Sequence, residues 1–173
     1  MYGIEVILLN SILMLALLGI SIVGRDLILF IGFLLFFIPI RTFAGGYHAK
    51  HSETCFVISV GIYILTMIIF NQFPDLYRNI IGIGLFTVSI VVICIWSPLK
   101  NPRHPLADYQ CKRNRRIVFG IIAIYIVLFI IFSTTDCVIA SSEVIFIVLA
   151  SIFLIVGKLD SSKYMKEHLE MNK

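Results

Sequence analysis

Charge is what this sequence has least of. Only 14% of its 173 residues are Asp, Glu, Lys or Arg, while 60% are hydrophobic. A water-soluble globule of this composition would lack the polar surface needed to cover itself. A mean hydropathy of +1.01 points to lipid as the solvent. Cysteine is also scarce, and the residues at 55, 94, 111 and 137 form no CxxC and no paired spacing. That pattern suggests neither a disulfide framework nor a zinc module. Cys94 lies inside the apolar run VVICIWS, where a free thiol acts as a small packing group. No basic segment precedes the first apolar run, which is also too long for a signal-peptide core, so a cleaved leader is not expected. The net charge of +4 is modest. The composition implies no cofactor and no nucleic-acid partner.

What the sequence does have is apolar runs. They cover Gly3–Val23, Leu27–Ile40, Cys55–Phe70, Asn79–Trp96, Ile117–Phe132 and Val144–Val156. The expected fold is an all-α integral membrane protein with six transmembrane helices over residues 1–157, followed by a polar tail over 158–173. The second run is short. Its 14 residues make a helix of about 21 Å, whereas the hydrocarbon core is about 30 Å thick. Either residues 24–26 snorkel into the near interface or the chain beyond Arg41 is still at membrane depth; a shallowly submerged loop is expected. The connectors NQFPDLYR, SPLKNPRHPLADYQCKRNRR and STTDCVIASSE carry the turn residues and charges, and Pro98, Pro102 and Pro105 stiffen the second of these. Twelve of the 14 Lys and Arg residues fall in the connectors after runs two and four and in the tail; the two exceptions are Arg25 and Arg78. The positive-inside rule then places both termini and these connectors in the cytoplasm, with the basic cluster KRNRR as an anchor to lipid headgroups.

The chemistry concentrates between residues 41 and 55, in RTFAGGYHAKHSETC. The stretch joins a cation, a glycine pair, two imidazoles and a thiol at a membrane edge. A thiol beside an imidazole is the minimum equipment of a cysteine nucleophile, because the neighbouring His lowers the thiol pKa and shuttles the proton. His48 and Cys55 are seven positions apart, which on one helix would separate them by about 10 Å. The backbone must therefore fold back if they are to meet, and Gly45 and Gly46 allow this. His51, four residues before Cys55, would meet it directly on a helix. Arg41 has three possible roles: stabilising a thiolate, holding a substrate carboxylate or supplying charge to an oxyanion. Glu5, near the start of the first run, suits a helix N-terminus; alternatively it faces the bundle interior beside the site. Two other classes remain open: a metal site built from His48, His51 and Cys55, and a non-enzymatic peptide carrier or transporter with this loop as its lid.

Arg41, Gly46, His48 and Cys55 stand in the register RxxxxGxHxxxxxxC, and with the phrase FAGGYHAK this resembles the core motif of the accessory gene regulator B family. The segment SPLKNPRHPL is similar to the proline-rich connector of the same family. The resemblance implies a bacterial membrane cysteine peptidase that processes the precursor of a quorum-sensing peptide. It implies Cys55 as nucleophile and His48, in preference to His51, as base. Arg41, Gly46 and Glu5 are then supporting residues, and the product is a thiolactone or lactone ring closed by acyl transfer. Its partners would be a small precursor peptide and the lipid bilayer, with a second copy of the chain as a further candidate. It also implies a further amphipathic N-terminal stretch in the family, after which this chain is expected to begin.

Overall fold

The computed structural model describes residues 2–45, 52–72, 80–99, 108–135 and 137–171, and the described residues contain helices and no strand. Helix α1 spans Tyr2–Gly24. Helix α2 (Leu27–Gly32) runs through a π-helical segment, Phe33–Phe37, into α3 (Ile38–Ala44). Then follow α4 (Ser52–Gln72), α5 (Ile80–Trp96), α6 (Asp108–Thr135) and α7 (Cys137–Met171).

Among the described residues, three helical stretches are long and apolar enough to cross a membrane: Leu27–Ala44, Tyr109–Thr135 and Val138–Ser162. Three shorter apolar helices accompany them, Asn10–Gly24, Phe56–Gln72 and Ile80–Trp96. The second run does not stop at Ile40 as expected. It continues as helix to Ala44, so its 18 residues span about 27 Å, and Arg41 rides on the helix. Parts of two expected connectors are also helical. KRNRR lies within α6, and all of the described part of STTDCVIASSE belongs to α6 and α7. The reason is local: no Gly or Pro interrupts either stretch to stop the helix. Long Lys and Arg stems let the basic turn snorkel while the helix carries on.

Helix α7 is the central post. It touches α2, the π segment, α3, α4, α5 and α6, and 67% of its apolar stretch is buried, compared with 17% for α6. Exposed Ile, Leu and Val on α1, α4, α5 and α6 form the outer surface, as expected of helices whose outer faces meet lipid. Lipid gives apolar side chains no hydrophobic incentive to associate, so packing and hydrogen bonds between helices must hold the bundle together. Ser21 donates to Leu17 O at 2.9 Å and its oxygen meets the Tyr63 hydroxyl, joining α1 to α4. The Ser89 and Ser151 hydroxyls join α5 to α7 at 3.1 Å. Asn71 Nδ2 donates to Asp26 Oδ2 at 2.9 Å, tying the end of α4 to the corner between α1 and α2.

The π segment has a sequence cause. Pro39 sits at the start of α3 and has no N–H, so the carbonyl four residues back, on Leu35, loses its helical donor. The ladder widens instead, with the Ile38 N–H reaching Phe33 O. Tyr125 of α6 donates its hydroxyl to the stranded Leu35 carbonyl, and its ring packs edge-on against Phe36. In lipid an unpaired carbonyl has no water to turn to. Tyr125→Phe is therefore expected to destabilise the bundle by about 1–3 kcal/mol, measured as a drop in melting temperature in detergent or nanodiscs.

Candidate functional site

Helix α3 carries Arg41 in its last turn, where a cation offsets the negative end of the helix. The guanidinium lies over two rings, Phe153 of α7 at 4.6 Å and Phe37 at 5.6 Å from the centroids. These stacked contacts orient the planar group and suit Arg better than Lys. One turn further on, Gly45 has φ of 78°, a conformation open to glycine and costly for residues with a Cβ. A Cβ there would meet Leu99 O at 3.4 Å. The approach is close because the Leu99 N–H donates to Ala44 O at 2.9 Å, which pins the start of the proline-rich connector to the end of α3. The Ser97–Pro98 peptide bond is cis. Lys158 of α7 lies over Trp96 at 4.1 Å. The ends of α3 and α5 and residue 158 of α7 thus gather at one end of the bundle.

Beneath Arg41 is a small cleft lined by Phe33, Phe37, Ser59, Ile62, Tyr63, Leu149 and Phe153. Both rings under the guanidinium are walls of it. Ser59, Ile62 and Tyr63 of α4 form part of its wall, and position 55 lies one turn before Ser59 in the same helix. The backbone of Cys55 belongs to the first turn of α4, while its side chain lies outside the described residues. Gly46, His48 and His51 also lie outside them. Glu5 belongs to α1, again with its side chain outside the description. Of the expected site residues, then, Arg41 alone has a described side chain. Among the described residues no group of three His, Cys, Asp or Glu could hold a metal.

The sequence profile of the accessory gene regulator B family matches residues 1–158. The chain belongs to the accessory gene regulator B family. Among curated proteins, a "Putative AgrB-like protein" of Listeria innocua is 26% identical over 121 residues, covering 69% of this chain and 58% of that protein. Its counterpart in Listeria monocytogenes serotype 4a is 25% identical over the same length. The "Accessory gene regulator protein B" of Staphylococcus carnosus is 25% identical over 81 residues, 46% of this chain and 40% of that protein. The chain thus spans little more than half the length of the Listeria relatives it matches. No solved structure matches it.

Two features of this family member escaped sequence reading. Phe37 and Phe153 are 116 positions apart, and nothing local announces that they share a cation. Glu143, expected in a connector outside lipid, is fully buried within α7. A signal for it existed: from Cys137 to Val156 there is no Gly or Pro, and a helix continuing through that stretch carries the carboxyl inside.

Proposed function

We propose that this protein is a membrane-embedded cysteine endopeptidase that cleaves a small precursor peptide and promotes its cyclisation to an autoinducing thiolactone or lactone for quorum sensing. The observation that carries this reading is membership of the accessory gene regulator B family over residues 1–158, together with the register of Arg41, Gly46, His48 and Cys55 in the sequence. In this reading the Cys55 thiolate attacks the carbonyl carbon of the scissile peptide bond, and His48 delivers a proton to the leaving amine as the C–N bond breaks. A thioester to Cys55 remains. A thiol or hydroxyl within the bound peptide then attacks the thioester carbonyl, His48 takes up its proton, and the Cys55 sulfur leaves. Thioester exchange is close to neutral in energy, so ring closure succeeds if water is kept away. Arg41, oriented by Phe37 and Phe153, would supply positive charge where the oxyanion develops.

The proposed topology is six membrane spans with both termini and the loop before α4 on the cytoplasmic side of a bacterial cell membrane. The distribution of Lys and Arg supports it, and the cytosol keeps the thiol reduced. The proposed partners are the precursor peptide, the lipid bilayer and a second copy of the chain. Co-expression with a short peptide encoded beside the gene, followed by weighing the products, tests the proposal. A peptide shortened at its C-terminal side and lighter by one further water is the expected ring product. Linear hydrolysis products alone would refute cyclisation, and loss of processing in chelator would favour a metal site.

A further inference from the structure

Glu143 is fully buried inside the apolar stretch Val138–Ser162 of α7, and neither carboxyl oxygen has a hydrogen-bond partner. Its setting explains why. Ser142, also fully buried, donates its hydroxyl to Ile139 O at 2.7 Å, and Tyr125 donates to Leu35 O. A hydroxyl has a single proton to give, so neither of these two hydroxyls has one left for the carboxyl. A carboxylate in that position would be a fully buried anion with no hydrogen-bond donor, away from water. A carboxylic acid is itself a donor and fits where the anion does not.

We infer that Glu143 is a proton-binding site within the membrane bundle, holding one H⁺ on its fully buried carboxyl. Among the described side chains no other packed element supplies a compensating charge. Neither α2 nor the π segment contains a titratable residue. Helix α6 faces Glu143 with Tyr125, whose proton is already committed. Helix α3 brings Arg41, but its guanidinium stacks on Phe153, ten residues further along α7, roughly 15 Å away. Helix α5 brings Cys94, five residues beyond the Ser89 that pairs with Ser151. From α4 come Tyr63, bonded to Ser21, and the first-turn residues Glu53 and Cys55. A metal cation needs several oxygen ligands; beside the carboxyl are the buried Ser141 and Ser142 as well as the apolar Ala140, Val144 and Phe146, so competition with sodium separates a cation from a proton. A proton needs no such shell. The seam between α7 and α2 is tight here, since a Cβ on Gly32 would meet Ser142 Oγ at 2.8 Å, and it continues to the Phe37–Phe153 contact under Arg41.

The test uses the full chain in lipid vesicles and the apolar reagent dicyclohexylcarbodiimide, whose carbon bonds to the carboxyl oxygen while the acid proton moves to its nitrogen. The expected result is one adduct, mapped to Glu143 by peptide mass, absent in Glu143→Gln and indifferent to sodium. Glu143→Gln, which mimics the neutral acid, should melt like the wild type. No adduct at Glu143, protection of Glu143 by sodium, or a clear drop in the melting temperature of Glu143→Gln would each overturn the inference.

Discussion

Replacing Cys55 by alanine is expected to abolish processing of the precursor peptide, with a rate loss of about four to six orders of magnitude, the scale seen when a covalent nucleophile is removed. The partner of that thiol is decided by the two histidines. His48→Ala should fall nearly as far as Cys55→Ala, since base and nucleophile act as one unit and their effects do not add. His51→Ala should retain processing within about tenfold, because a residue outside the proton path contributes only position. The reverse ranking would transfer the role of base to His51, the residue that helical spacing favours. Processing in a reconstituted system, followed by mass spectrometry of the peptide, reads all three variants. Their melting temperatures should match that of the wild type if the losses are chemical and not losses of fold.

The second large effect concerns the platform under Arg41. Phe153→Ala removes the nearer ring, at 4.6 Å, and empties one wall of the cleft. In a water-soluble core the change would cost about 3–5 kcal/mol. In lipid the transfer part of that cost is largely absent, because the tails are as apolar as the side chain. The cavity part remains, about 2 kcal/mol, and should appear as a lower melting temperature. Activity should respond separately. Arg41→Ala is expected to slow processing by about 10²–10³, the usual cost of losing one oxyanion-stabilising group, with little change in melting temperature. Arg41→Lys keeps the charge and loses the stacked plane, so it should fall between Arg41→Ala and the wild type. In the Phe153→Ala background the Arg41→Lys cost should shrink by about 1 kcal/mol, the coupling expected of two groups in contact. Full additivity would mean that the ring does not orient the guanidinium.

The segments that sequence alone made legible are those governed by local rules. Each apolar run contains a helix because a backbone in lipid must satisfy its own hydrogen bonds. Arg41 could be placed at a helix end, since the polar loop follows it directly. The boundaries were harder. Ile40 marks the end of hydrophobicity, but the helix runs on to Ala44, because a helix stops for backbone reasons and Gly45 supplies one with φ of 78°. KRNRR carries charge but contains no breaker, so α6 simply includes it. The π segment could be anticipated only in outline: Pro39 removes a donor from the ladder, yet its rescue by Tyr125, 90 residues away from Leu35, is a tertiary fact. The Arg41 platform and the burial of Glu143 depend likewise on which helices become neighbours. His48 and Cys55 stood out chemically in the sequence, and their side chains fall outside the described residues.

The central claim is that a sulfur of this chain carries the peptide as a thioester, and intact-mass analysis of the full chain mixed with its precursor peptide tests it most directly. The expected spectrum shows the chain enlarged by the N-terminal part of the peptide, an adduct that hydroxylamine removes and that Cys55→Ala never forms. A processed peptide released without any such adduct, or an adduct that persists in Cys55→Ala, would contradict the claim.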